Sequence, residues 1–390
     1  MTKGKVYTHD KQRHAGSNAV ILSPDERRAQ GKALRDAAPR EAQGGWKPPR
    51  TRRDRVQMLI ESNEGRLAEL MPIHFGRMLQ SPFAFYRGAA AIMAADLATT
   101  PSSGVRVQAC GDAHLLNFGG FATPERQIVF DINDLDETLP ALWEWDLKRL
   151  TASMVIAAHH LRLSESEAAR AATATVHAYR ERMADYSSAR ALDVWYDRIS
   201  IDRVLAEAPT DAIRNRIAKR LQKARQQSSP EYIFPKLVEQ HGTVPRIKDS
   251  PPLIYHPADD IAPGLETQYR EQLAENRESL SEHVRVLYDR FHFCDLAIKV
   301  VGVGSVGTRC AVILLMAAEN DPLFLQGKEA RAHARSGDAA LIAGYMGANA
   351  TFDDAICEFA MESSDQNQRD YRAFVKAVRE GRIEVVVETA

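Results

Sequence analysis

Three side chains with chemistry in them fall within one short word: Asp112, His114 and Asn117 sit in GDAHLLN, inside CGDAHLLNFGG. A turn needs only a glycine and an aspartate, so the histidine and the amide call for a reason. A second word, FDINDLDET, delivers Asp131 fourteen residues after Asn117, then Asp134 and Asp136. Phosphoryl transfer needs this inventory. One carboxylate orients the acceptor hydroxyl, while an amide and further carboxylates hold magnesium against the phosphates. The D-x-x-x-x-N spacing lets one tight loop present Asp112 and Asn117 together, and an aspartate at the end of the next strand reaches the same point from the other side. On this reading Asp112 is the catalytic carboxylate, and Asn117, Asp131 and Asp134 are the metal-side residues.

Two other readings use the same residues. Asp and Asn are ordinary turn and cap residues, and His114 has a plain role as a hydrogen-bonded loop histidine. A metal-dependent phosphohydrolase would draw on Asp112, His114, Asp131 and Asp134. It would also want histidine-bearing loops downstream, but His159 and His160 fall in a helical pattern and His256 stands alone in a proline-rich stretch.

A second constellation lies far along the chain. GVGSVG places Gly302, Gly304 and Gly307 in a G-x-G-x-x-G pattern. In a dinucleotide fold a helix must come next, because its N-terminus carries the pyrophosphate. The next residues here are TRCAVILLMAAENDPLFLQ, rich in β-branched side chains and broken by a turn, hence strand. Strand, glycine turn, strand is how a kinase covers ATP phosphates, and such a loop needs a lysine on a later strand. Lys328 stands there, twenty-one residues past Gly307. The acidic loop precedes the glycine loop, the reverse of an ordinary kinase, so the expectation is a circular permutation, acceptable when termini lie together at the surface.

The elements that must position these residues can be read from periodicity. Residues 1–50 are polar, basic and rich in Gly and Pro, and are expected to form a flexible arm that docks near Trp46. Residues 51–288 form a mostly helical lobe carrying the acidic loop between two strands. Within it, a helical pattern starts at Arg55, a helix starts at Ser81-Pro82, and 211–225 is a basic helix. A proline-punctuated loop is expected at 229–263. Residues 289–330 read as β hairpins around the glycine loop. Residues 331–390 read as helices packed on the large lobe, with a short β-like tail, RIEVVVET.

Bulk composition narrows the partners. The chain has 390 residues, 44% hydrophobic and 26% charged, with a formal net charge of -1, which gives no global pull toward nucleic acid or membrane. The basic helix carries its charges all round, with acids nearby, and reads as a solvated face. No apolar run reaches the length of a membrane span. Four separated cysteines without a CxxC pair suggest neither a disulfide scaffold nor a zinc site. The expected compartment is the cytoplasm.

SPFAFYRGAA, CGDAHLLNFG, VFDINDLDET, WEWDLKRL, VVGVGSVGTR, LFLQGKEA and ARAHARSGD together resemble the bacterial family named domain of unknown function 2252. The resemblance covers nearly everything after residue 50. It implies a fold grouped with protein kinases and aminoglycoside phosphotransferases. By motif, Asp112 corresponds to the catalytic-loop aspartate, Asn117 to the metal-binding asparagine, Asp131 to the metal aspartate and Lys328 to the phosphate-holding lysine. Cys110 stands where phosphotransferases usually carry a histidine. The family also has a long segment between the KEA and ARAHARSGD words, which here run together after Ala330. That segment should hold the lysine's carboxylate partner and the adenine hinge. The expectation is therefore an α+β, circularly permuted kinase-like fold with a reduced β lobe. Its function would be transfer of phosphate from ATP, with Mg2+, to an unnamed small-molecule or protein hydroxyl. The alternatives are a catalytically impaired pseudokinase or binding module, and the phosphohydrolase.

Overall fold

The computed structural model describes residues 21–388 except 124, 126, 136, 137, 228, 229, 243, 258–263, 301, 305, 309, 319, 320 and 328–337. The described chain opens with a helix rather than an arm. Ser23 caps α1 (Pro24–Ala33), its hydroxyl accepting from the Glu26 amide while the Glu26 carboxylate accepts from the Ser23 amide. Two short 3-10 turns then lead to Trp46, which is buried and donates from Nε1 to the Thr99 hydroxyl at 2.9 Å. The expected flexible arm over 1–50 is therefore corrected for residues 21–50. Apolar docking and side-chain caps hold a segment whose composition alone reads as solvated. Residues 1–20 lie outside the described residues.

The helical pattern after Arg55 divides into α2 (Arg55–Ser62), capped by Asp54, and α3 (Met71–Met78). Asn63 ends the first, and Gly65 at φ +85 turns the chain, a conformation that costs glycine little. Ser81 caps α4 (Pro82–Gly88), with α5 (Ala90–Leu97) directly after it. Four short strands come next: β1 (Arg106–Ala109), β2 (Phe118–Ala122), β3 (Ile128–Ile132) and β4 (Leu139–Leu142). β1 pairs antiparallel with β4, Arg106 facing Leu142, and β2 with β3, Phe118 facing Ile132. The acidic loop thus hangs between two small sheets.

The chain continues into the long helices α6 (Trp143–His160) and α7 (Glu165–Ser188), then α8 (Ala191–Tyr196) and β5 (Ile199–Ser200), which lies along β3. Next come α9 (Ile201–Ala206), α10 (Asp211–Gln227) and α11 (Pro230–Leu237). The hairpin of β6 (Val238–His241) and β7 (Val244–Ile247) and the short β8 (Ile254–Tyr255) complete this region. The loop expected at 229–263 is thus largely a helix and a hairpin. Pro230 suits the first turn of a helix, where its missing N–H is not needed.

After α12 (Leu265–Ser279) and α13 (Glu282–Tyr288) comes the larger sheet, formed by β9 (His292–Lys299), β10 (Ala311–Ala318) and β11 (Asp321–Gly327) in the order β11-β10-β9-β8. Its face buries Leu296, Ile298, Ile313 and Leu315 against Leu265 and Tyr269 of α12. Two helices close the fold, α14 (Ala339–Met346) and α15 (Thr351–Arg379). α15 joins α4 and α6 in a core built on Trp46, Phe83, Tyr86, Val155 and Phe359. The tail expected to be β-like is extended but has no sheet partner among the described residues. It is fastened by Val386 N to Pro72 O at 2.8 Å and by an Arg77–Glu388 ion pair at 2.7 Å.

The result is a mixed α+β fold of long helices with several small sheets, and no described helix is long and apolar enough to cross a membrane.

Candidate functional site

The acidic loop is held from behind by α6. Asp146 accepts hydrogen bonds from the backbone N–H of Cys110 (2.5 Å) and Gly111 (3.0 Å). Burial pushes its carboxyl pKa up, and these two N–H groups work against that rise. Gly111 sits at φ +80, the left-handed turn that brings the chain off β1. Three residues further along α6, on the same face, Arg149 donates from Nε to Asp112 Oδ1 at 3.0 Å and from Nη2 to the same oxygen. The Arg149 side chain is 2% exposed. It lies over the Tyr86 ring at 4.6 Å and also donates to the Tyr86 carbonyl at 3.2 Å. Burial alone would lower its pKa, but the facing Asp112 carboxylate, together with Tyr86 and Asp146, more than offsets this.

With Oδ1 taken by Arg149, the other carboxylate oxygen is the one turned to the rest of the site. Asp112 Oδ2 lies 3.5 Å from His114 Nε2. His114 is buried, and desolvation drives its pKa down to about 4, so the ring is neutral near pH 7. Arg87 is a second cation beside the loop. Burial lowers its pKa and Asp112 opposes the fall.

Asn117 acts as a clamp between the two acidic words. Its Nδ2 donates to Asp112 O (3.1 Å) and Asp134 O (2.9 Å), and its Oδ1 accepts from Asp134 N (2.9 Å). Asp134 therefore arrives beside the loop through its backbone. Asp131 sits on β3 opposite Gly119, exposed, with Oδ1 accepting from Ile132 N at 2.8 Å. Among the described residues no group of three or more His, Cys, Asp or Glu comes together as a metal cage. Asp136 lies outside the described residues.

The glycine loop reaches the same place. The first carbon of a side chain on Gly304 would lie 3.2 Å from Arg87 O and 3.9 Å from Asp112 Oδ2. Glycine here lets the loop backbone come close to Arg87 and the carboxylate without a side chain between them. Carbonyl oxygens of the loop are fastened to the region around α3: Gly302 O by Arg77 (2.6 Å), Val303 O by His74 Nδ1 (2.8 Å), Val306 O by Arg66 (2.8 Å) and Gly307 O by Leu67 N (2.8 Å). Arg66 also holds the Gly304 carbonyl. Gly302 and Gly307 have φ of +65 and +83, so their identity answers to backbone shape, while that of Gly304 answers to space. Lys328 lies outside the described residues.

Three residues of the site were not assigned from the sequence: Arg87, Asp146 and Arg149. Each sits in a word that carries the family resemblance, SPFAFYRGAA or WEWDLKRL. The spacing of Asp146 and Arg149 puts both on one helix face, a usable signal once the loop they face is known.

No curated protein and no solved structure matches the chain. The sequence model of one family does match, over residues 66–332 and 330–377. The two stretches meet at the junction after Ala330 where a segment of the family is expected to be absent. The chain belongs to that family, the bacterial uncharacterised proteins called DUF2252.

Proposed function

We propose that this is a phosphoryl-transfer site on a circularly permuted kinase-like fold, with ATP as donor and a hydroxyl as acceptor. One observation carries the reading: Gly304, almost two hundred residues from Asp112 in sequence, comes so near its carboxylate that a first side-chain carbon there would lie 3.9 Å from Oδ2. A glycine loop brought against a carboxylate with one oxygen committed to Arg149 suits in-line transfer. The acceptor hydroxyl attacks the γ-phosphorus and gives its proton to Asp112 Oδ2. The new O–P bond forms as the bond to the ADP oxygen breaks, its electron pair leaving with ADP. Arg149 fixes the carboxylate and Asp146 fixes the loop. Of the cofactors, magnesium finds only part of a coordination shell among the described residues, since Asn117 is engaged with backbone and the carboxylates are not grouped in threes.

A second reading, binding without turnover, is supported by the junction after Ala330, where the adenine hinge is expected to be lost. Without it ATP affinity falls to about millimolar, roughly 4 kcal/mol. Calorimetric titration with Mg-ATP is expected to give that weak affinity. Transfer to a panel of small hydroxyl compounds is expected to vanish in Asp112→Asn while binding persists. Undetectable binding, or transfer indifferent to Asp112→Asn, overturns the assignment.

A further inference from the structure

The buried guanidinium groups around Asp112 offer more N–H donors than the described residues use. Arg149 spends Nε and Nη2 on Asp112 and the Tyr86 carbonyl, yet its Nη1 is buried and has no hydrogen-bond partner among them. Arg87, the residue after Tyr86, has a buried Nε that is also without a partner there. It forms none of the ion pairs found among the described residues, although the Asp112 carboxylate is close enough to oppose the fall in its pKa. Its carbonyl and Asp112 Oδ2 lie 3.2 and 3.9 Å from where a first side-chain carbon on Gly304 would stand, so the glycine backbone comes close to both. Buried donors are almost always satisfied, so two orphans on cations beside the Asp112 loop call for an acceptor.

We propose that Arg87 and Arg149 form a receptor for a phosphate-type oxyanion beside Asp112, where any side chain on Gly304 would add crowding. The guanidinium fork matches the oxygens of phosphate better than a point charge does. The neutral His114 ring adds a polar wall without adding charge. The proposal rests on the phosphoryl-transfer reading and deepens it, giving the transferred group a cationic seat made of protein alone. Anion binding itself requires neither nucleotide nor turnover.

The test uses the full chain and inorganic phosphate, titrated by calorimetry and by thermal shift against potassium chloride of equal ionic strength. Saturable binding is expected in the wild type, weakened at least tenfold in Arg87→Met. Arg87→Lys, which keeps the charge and loses the fork, is expected to weaken it several-fold in a folded protein. Gly304→Ala is expected to weaken it with both arginines intact. The exposed Arg214→Met is expected to change nothing. Phosphate affinity unaltered by Arg87→Met or Arg87→Lys overturns the receptor, as does a wild type that responds no more to phosphate than to chloride. The two readings fail separately. Saturable, Arg87-dependent phosphate binding without any phosphorylated product upholds the receptor and counts against transfer. Transfer that survives Arg87→Met unchanged overturns the receptor alone.

Discussion

Lys148 shows how a single residue on α6 can carry a cost that its neighbours do not remove. Its side chain is fully buried, its Nζ has no hydrogen-bond partner among the described residues, and it lies 4.7 Å from the centroid of the Phe359 ring. Desolvation lowers its pKa to about 7, with Glu144 opposing the fall. Because the folded pKa lies below the ordinary lysine value of 10.5, the unfolded chain binds more protons between these values. Stability contributed through this group therefore rises with pH from about 7 toward 10. Lys148→Met is expected to be neutral or stabilising, by roughly 1–2 kcal/mol. It should also flatten the rise in urea-unfolding free energy across that pH range. Equal slopes in the two proteins would show that Lys148 does not titrate in the fold.

At the scale of elements, the contact between α1 and α14 depends on two glycines. The first carbon of a side chain on Gly31 would lie 1.9 Å from Leu341 O, and one on Gly344 would lie 2.1 Å from Arg28 O. No rotamer relieves a clash with backbone, so the helices must part. Gly344→Ala is expected to cost roughly 3 kcal/mol and to open residues 24–50 to limited proteolysis before the rest of the chain. Cleavage unchanged from wild type would show that α1 does not need this contact. That dependence is also why the N-terminal region reads as an arm in the sequence. A polar helix with glycine on its buried face has no apolar stripe, so only its partner reveals it. The strands β9–β11 were legible because their short apolar runs are set apart by the glycine word and by the Glu-Asn-Asp-Pro turn, too short for helices. The GDAHLLN loop was legible because short polar words between glycines stand out. Arg149 was not: a cation on a helix reads as solvated until Asp112, thirty-seven residues earlier, is placed against it. The hairpin of β6 and β7 was hidden by prolines, which suggest loop wherever no partner strand is in view.

Across the whole molecule, the histidines respond to acid in opposite senses. His74 and His114 are buried at the loop site with pKa values lowered to about 4 by desolvation. Their contribution is intact above the unfolded value of about 6.5 and is lost as pH falls toward 4. His256 joins Asp249 (2.8 Å) and Asp295 (3.0 Å), tying the segment after β8 to β9. These bonds, to Asp295 first, raise its pKa, with burial working against them. Its contribution is full below the unfolded value and is lost as pH rises through the higher folded value. The wild type is therefore expected to lose stability below about pH 6 through the loop site. Its advantage over His256→Gln should shrink as pH rises above about 6.5. Denaturation curves for the two proteins that stay parallel from about pH 5 to 8 would remove His256 from this account.

The embrace between the first and last helices has a consequence for how the protein is made. Arg27 meets Asp338, Arg35 donates to Tyr345 O, Trp46 packs on Phe359, and Arg52 bridges Asp96 and Asp370. A ribosome releases residues 24–52 long before Asp338, Tyr345, Phe359 and Asp370 exist. Until α14 and α15 emerge, α1 and the Trp46 segment lack part of the surface that orders them. The acidic loop meets α6 within forty residues of chain, but the glycine loop reaches it only after residue 307, and the clasp closes later still.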